Sequence, residues 1–158
     1  MQLKDLAQVC QRLNQEKVEY LLVGGFAMIL HGYERATRDI DFLVDPSVEN
    51  IERIKTALID LLPEACTEIR PQDVMENTVV RMVGENIIVD LIKEVGPHNY
   101  QSVLKDCFFE EIEGIRIPVG GLDSMIELKK GVRERDQRDY LFLIGKKEYL
   151  ERQTKKKP

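Results

Sequence analysis

Three aspartates stand where strands ought to be apolar, and they constrain the fold more than any other feature of this chain. Asp39 and Asp41 open the run Asp39-Ile40-Asp41-Phe42-Leu43-Val44, and Asp90 interrupts Ile87-Ile88-Val89-Asp90-Leu91-Ile92. Residues two apart in a strand point to one side. Asp39 and Asp41 therefore share a face, their Cα atoms roughly 6.5–7 Å apart, while Ile40 and Phe42 share the other. The run around Asp90 otherwise has the continuity of a core strand covered on both faces. An ionised carboxylate buried there without a partner is costly, and gathering three adds mutual repulsion. A positive charge must compensate them. Histidine and cysteine are absent from these stretches, so a hard, oxygen-seeking cation such as Mg²⁺ or Mn²⁺ is the natural counterion. Taken alone, the Asp39-x-Asp41 pair also fits the exposed face of an edge strand. Asp90 and a glycine pair upstream tip the reading toward a site.

That glycine pair, Gly24-Gly25, ends the apolar run 18–23 and precedes a short helical segment over about 26–32. Such a turn gives a phosphate what it needs: no Cβ in the way, free backbone N–H groups and a helix N-terminus. Glycine also serves strand-to-helix turns for conformational reasons alone. Elsewhere, Leu3, Leu6, Cys10 and Leu13 recur at helical spacing, predicting an amphipathic helix over about 2–16. Ile51, Ile54, Leu58, Leu61 and Leu62 mark another, begun after Asp45-Pro46-Ser47 and ended by Pro63. Strands are expected over about 78–83 and 86–92, joined as a hairpin at Gly84-Glu85. A further pairing joins 107–112 with 115–119 across Gly114. From Gly121 onward the pattern turns helical, over about 122–130 and 134–144.

With 158 residues, 43% apolar and 32% charged, the chain has material for one core and one domain. Its 23 Lys and Arg against 28 Asp and Glu leave a net charge of −5, which counts against a nonspecific polyanion binder. The longest nearly uncharged apolar run, 20–30, contains the glycine pair and falls well short of the roughly 20 residues a membrane helix needs. No membrane span and no secretory signal are expected, and a cytoplasmic location follows. Cys10, Cys66 and Cys107 are far apart and form no C-x-x-C spacing. They read as reduced, packed thiols. His31 and His98 are isolated and carry no soft-metal signal.

Taken together, Val23-Gly24-Gly25, then thirteen residues, then Asp39-Ile40-Asp41-Phe42, then the distant, apolar-flanked Asp90 resemble the signature of the polymerase-beta-like nucleotidyltransferase superfamily. Arg35-Ala36-Thr37-Arg38-Asp39-Ile40-Asp41 looks like the R-x-T-x-D-I-D form of small bacterial members, among them relatives of abortive-infection toxins and antibiotic nucleotidyltransferases. Lys129, followed by Arg133-Glu134-Arg135-Asp136 and Asp139, is similar to the helical K-x-x-x-R-E-K-D-x-x-D segment of that group, with Arg135 where Lys is commoner. The resemblance spans about residues 18–140.

It implies an α/β (α+β) fold: a mixed sheet with flanking helices and a short C-terminal helical segment, all in one domain over 1–158. The expected divisions are a core at about 17–119, a helical segment at about 121–145 and a flexible basic tail at about 146–158. Asp39 and Asp41 are then the ligands of two Mg²⁺ or Mn²⁺ ions, with Asp90 completing the set and helping to activate an acceptor hydroxyl. Gly24 and Gly25 let the backbone approach the phosphates, and Lys129 offers them a point charge. Arg35, Arg38 and Arg133 are further candidates for touching nucleotide, although each also reads as a salt-bridge partner of neighbouring acids. Thr37 orders the turn before the strand, and Asp136 and Asp139 read as structural support. The implied activity transfers a nucleoside monophosphate from a nucleoside triphosphate to a hydroxyl acceptor, releasing pyrophosphate. The acceptor is open among a small molecule, a protein and an RNA 3′ end. Two alternatives accompany it. One is a non-catalytic nucleotide-binding or antitoxin-like module of a toxin–antitoxin pair, completed by a partner protein or a homodimer. The other is a toxin that modifies the 3′ end of transfer RNA, with the lysines of 146–157 as a basic patch.

Overall fold

The apolar runs 20–23 and 40–44 form the centre of a mixed sheet, in a computed structural model that describes residues 1–131 and 133–156. The chain begins with α1 (Leu3–Gln15), β1 (Tyr20–Val23), α2 (Gly24–Leu30), β2 (Ile40–Val44) and α3 (Val48–Leu58). It continues through α4 (Pro63–Glu68), α5 (Pro71–Glu76), β3 (Val79–Val83) and β4 (Ile88–Ile92). Next come β5 (Glu94–Val95), β6 (His98–Asn99), α6 (Tyr100–Leu104), β7 (Phe108–Ile112), β8 (Ile115–Val119), α7 (Leu122–Leu128) and α8 (Glu134–Lys155). Six strands pair in the order β3-β4-β2-β1-β8-β7, and β5 pairs with β6 apart from them.

β1 runs antiparallel to β2 and parallel to β8, while β2 runs parallel to β4. The hairpins β3–β4 and β7–β8 close the two edges. This is the mixed sheet with flanking helices that the resemblance implied. Burial explains the arrangement. All four residues of β1 are buried, and in β2 only Asp41 is partly exposed, as befits central strands covered on both faces. The apolar stripe of α1 (Leu6, Val9, Cys10 and Leu13) is buried to 1% exposure or less, and α1 packs on α3 and β8. Cys10, Cys66 and Cys107 are free thiols, the first two buried. No helix among the described residues is long and apolar enough to cross a membrane.

Besides β5, β6 and α6, which the sequence pattern did not announce, the helices α4, α5 and α8 depart from the sequence-based expectation. Pro63 ends the periodic pattern of α3 but also occupies the first turn of α4, and Pro71 does the same for α5. Proline is at home there because its missing N–H has no intrahelical partner to lose. The basic tail expected to be flexible over 146–158 is instead helical as far as Lys155, within α8. Its first two lysines are tethered: Lys146 Nζ donates to the His31 carbonyl at 2.9 Å and lies 3.1 Å from His31 Nδ1, and Lys147 pairs with Asp123 at 2.9 Å. The expectation for Lys157 and Pro158 lies outside the described residues.

Buried Asn50 fixes where β2 ends relative to β1. Its Oδ1 accepts from the Glu19 N–H at 2.8 Å, and its Nδ2 donates to the carbonyls of Glu19 and Asp45 at 3.0 and 2.8 Å. Asn50→Ala would strand the Glu19 N–H and the Asp45 carbonyl, each worth roughly 1–3 kcal/mol when unpaired, while the Glu19 carbonyl keeps the Asp45 N–H at 3.3 Å. We expect a loss of about 2–4 kcal/mol, read as a lower urea midpoint with an unchanged slope. A midpoint equal to that of the parent would contradict this role.

Candidate active site

The sheet brings the three strand aspartates together. β2 and β4 lie parallel with Asp41 directly opposite Asp90, while Val23 at the end of β1 faces Asp41 from the other side. Asp39 sits at the mouth of β2, one residue before the strand begins. Ile40 and Phe42 are fully buried, so their packing holds the alternation that turns Asp39 and Asp41 toward one face. One carboxylate oxygen from each of Asp39, Asp41 and Asp90 lies within 4.8 Å of the others.

Burial pushes the Asp41 carboxyl up to about 7, helped by the charges of Asp39 and Asp90 and opposed by Lys129. A carboxyl shifted in this way marks a place short of positive charge. Three hard oxygen donors, with no His or Cys among them, suit Mg²⁺ or Mn²⁺ and could hold one.

Part of the compensation comes from a residue that sequence reasoning missed. Arg81 on β3 pairs with Asp90 across the hairpin. Its Nε donates to Asp90 Oδ1 at 2.8 Å, and its Nη2 donates to Asp90 Oδ2 at 2.8 Å and to Asp39 Oδ2 at 2.9 Å. The hydrogen bonds to Asp90, with the charges around them, hold the guanidinium firmly protonated. The hairpin turns at Glu85-Asn86, where the Gly84 N–H donates to the Ile87 carbonyl at 2.8 Å, one residue beyond the expected Gly84-Glu85, and only that register sets Arg81 opposite Asp90.

The glycine pair has a sharper reason than room for a ligand. Gly24 has φ +70°, and a Cβ there would fall on the Asp41 carboxylate. A Cβ at Gly25 would come within 2.5 Å of Thr37 Oγ1. Thr37 in turn donates to the Asp39 carbonyl at 3.1 Å, ordering the entry to β2 as expected. The glycines thus let Asp41 and Thr37 seat against the β1–α2 turn.

Opposite the carboxylates stands a wall of cations anchored by two buried acids of α8. Asp139, 1% exposed, receives Arg35 Nη1 at 2.6 Å and Lys129 Nζ at 3.0 Å. Asp136 receives Arg133 Nε at 2.7 Å, with Lys129 Nζ at 3.6 Å. These are the supporting roles expected of Asp136 and Asp139. A cleft of about 470 Å³ is lined by Gly24, Gly25, Asp39, Asp41, Asp90, Arg35, Lys129 and Arg133, together with Arg81, Arg135 and the apolar Val79, Ile92, Val95 and Leu128. Arg38 is exposed and does not line it. Of the sequence-derived candidates, Arg38 alone stays outside.

The profile of a family described as "Nucleotidyl transferase AbiEii toxin, Type IV TA system" matches residues 10–118. No curated protein matches the chain. Among solved structures, a Thermotoga maritima protein described as a nucleotidyltransferase aligns with a TM-score of 0.58 and 20% identity, over 98% of this chain and 93% of that one. An antigenic nucleotidyltransferase-like protein from Paracoccidioides brasiliensis aligns with a TM-score of 0.58 and 19% identity, over 90% of this chain and 75% of that one. At such identities the likeness is one of fold.

The raised Asp41 carboxyl makes folding depend on pH. Ionisation costs stability progressively as pH rises from the ordinary 3.8 to about 7. The cost is absent below that window and complete above it. Asp41→Asn removes it. In chelator-treated buffer we expect the variant to melt higher than the parent at pH 8, by roughly 2–4 kcal/mol or about 5–10 °C, and nearly level with it at pH 4. A variant that melts lower at pH 8 would contradict the strain ascribed to this carboxylate.

Proposed function

The chain belongs to the nucleotidyl transferase AbiEii toxin family of type IV toxin–antitoxin systems, and from that premise we propose that its cleft transfers a nucleoside monophosphate from a nucleoside triphosphate to a hydroxyl acceptor. The observation that carries the proposal is the convergence of Asp39, Asp41 and Asp90 within 4.8 Å in a cleft whose opposite wall is cationic. Asp39, Asp41 and Asp90 would hold one or two Mg²⁺ or Mn²⁺ ions. When bound, such ions neutralise the triphosphate, lower the pKa of the attacking hydroxyl and stabilise the leaving pyrophosphate.

The chain's own residues do the remaining work. Lys129 and Arg35, aimed by Asp139, supply fixed positive charge to the phosphate oxygens, and Arg133 adds a more exposed one. The acceptor oxygen bonds to the α-phosphorus as the bond to the bridging oxygen of the β-phosphate breaks. Its proton passes to the Asp90 carboxylate, and pyrophosphate leaves. The apolar patch of Val79, Ile92, Val95 and Leu128 suits a nucleobase or the body of the acceptor. In keeping with the family's setting, an antitoxin counterpart belongs to this reading.

An RNA 3′ end as acceptor is a second reading, favoured by one observation. Arg35 and Arg135 line both the cleft and a neighbouring hollow that also holds Arg138, so arginines continue outward from the carboxylates. The lysines of the chain end contribute less than the sequence suggested, since Lys146 and Lys147 are engaged with His31 and Asp123.

Incubation with α-labelled triphosphates, Mg²⁺ and pools of RNA, protein and small-molecule hydroxyl acceptors should label one pool and release pyrophosphate. Asp39→Asn should cut transfer by about a hundredfold or more while the protein stays folded. Full activity in that variant would refute the mechanism. If RNA is the labelled pool, its binding should weaken steeply with salt.

A further inference from the structure

Arg81 has no part in the roles above, yet it holds two of the three strand aspartates. Its guanidinium forks onto both oxygens of Asp90 and reaches Asp39 Oδ2 at 2.9 Å through the same Nη2 that holds Asp90 Oδ2 at 2.8 Å. The side chain is 54% exposed and rises from β3, an edge strand of the sheet, so nothing locks the guanidinium in from outside. A divalent ion held by Asp39 and Asp90 would draw on the same oxygens. It would then stand within a few ångströms of a second full positive charge seeking the same lone pairs. The two charges repel each other and draw on the same oxygens.

On the reading of this cleft as a cation site, we propose that Arg81 is its resident counter-cation: it neutralises Asp39 and Asp90 in the metal-free chain and competes with the divalent ion for them. Arg81 thereby sets how tightly the chain alone binds metal. Once displaced, the guanidinium is a free cation at the rim of the cleft, where a triphosphate offers it a new partner. Metal and nucleotide should therefore assist each other's binding. The ion frees the guanidinium for the nucleotide, and the nucleotide occupies the guanidinium that opposes the ion.

Calorimetric titration of Mn²⁺ into the nucleotide-free protein tests this. Arg81→Met keeps an apolar stem of similar reach and removes the competitor. It should bind Mn²⁺ at least about tenfold more tightly than the parent, although its metal-free form melts lower because Asp39 and Asp90 lose their partner. Arg81→Lys retains charge but cannot fork onto Asp90, so its affinity should fall between the two. That variant decides the matter if the first does not fold. The dependence of Mn²⁺ affinity on added nonhydrolysable triphosphate should shrink in both variants. A parent that binds Mn²⁺ while folded variants bind it no more tightly overturns the competition and leaves the cation site standing. Failure of parent and variants alike to bind Mn²⁺ overturns both.

Discussion

Repulsion among three carboxylates is the constraint around which this molecule is organised. Asp41 sits between Asp39 and Asp90 on adjoining parallel strands, with burial and both neighbouring charges pushing its carboxyl upward. Such a cluster survives only where surrounding structure holds it in place. Central strands covered on both faces fix the alternation, Gly24 yields the space that Asp41 fills, and Arg81 returns part of the missing positive charge. Take away the packing of Ile40 and Phe42, and nothing obliges the acids to meet.

A second electrostatic layer faces the first. Here the order of signs reverses: buried acids lie behind and cations stand in front. Asp139 and Asp136 on α8 have little exposure of their own, but they draw Lys129, Arg35 and Arg133 into position along the cleft. Under the proposed function, the strand acids and the cations held by α8 suit a ligand that pairs a divalent cation with a polyphosphate. The net charge of −5 says nothing of this arrangement, because the cleft uses both signs locally.

Much of this could be read in the sequence for identifiable physical reasons. A carboxylate inside an apolar strand run is anomalous by its energy, which is why Asp39, Asp41 and Asp90 stood out, and the resemblance built on them agrees with the family match. Arg81 escaped because one arginine on a partly exposed strand looks like solvated charge until its hairpin register is counted out to Asp90. Helices α4 and α5, each six residues long, are too short for a periodic pattern to form. The end of α8 was hidden for another reason. Its residues are polar on most sides, and it is held by contacts distant in sequence, such as that between Lys146 and His31. Gly24 and Gly25 were visible as a turn, but the side chains that require them became apparent only once β1, α2 and β2 were placed together.

On the proposed reading, Asp39, Asp41 and Asp90 are gathered to share a cation. Anomalous diffraction from crystals grown with Mn²⁺ and a nonhydrolysable triphosphate addresses it most directly. We expect a manganese peak within coordinating distance of carboxylate oxygens from all three, with the α-phosphate on its far side. A fully occupied nucleotide with no manganese at these carboxylates would contradict it.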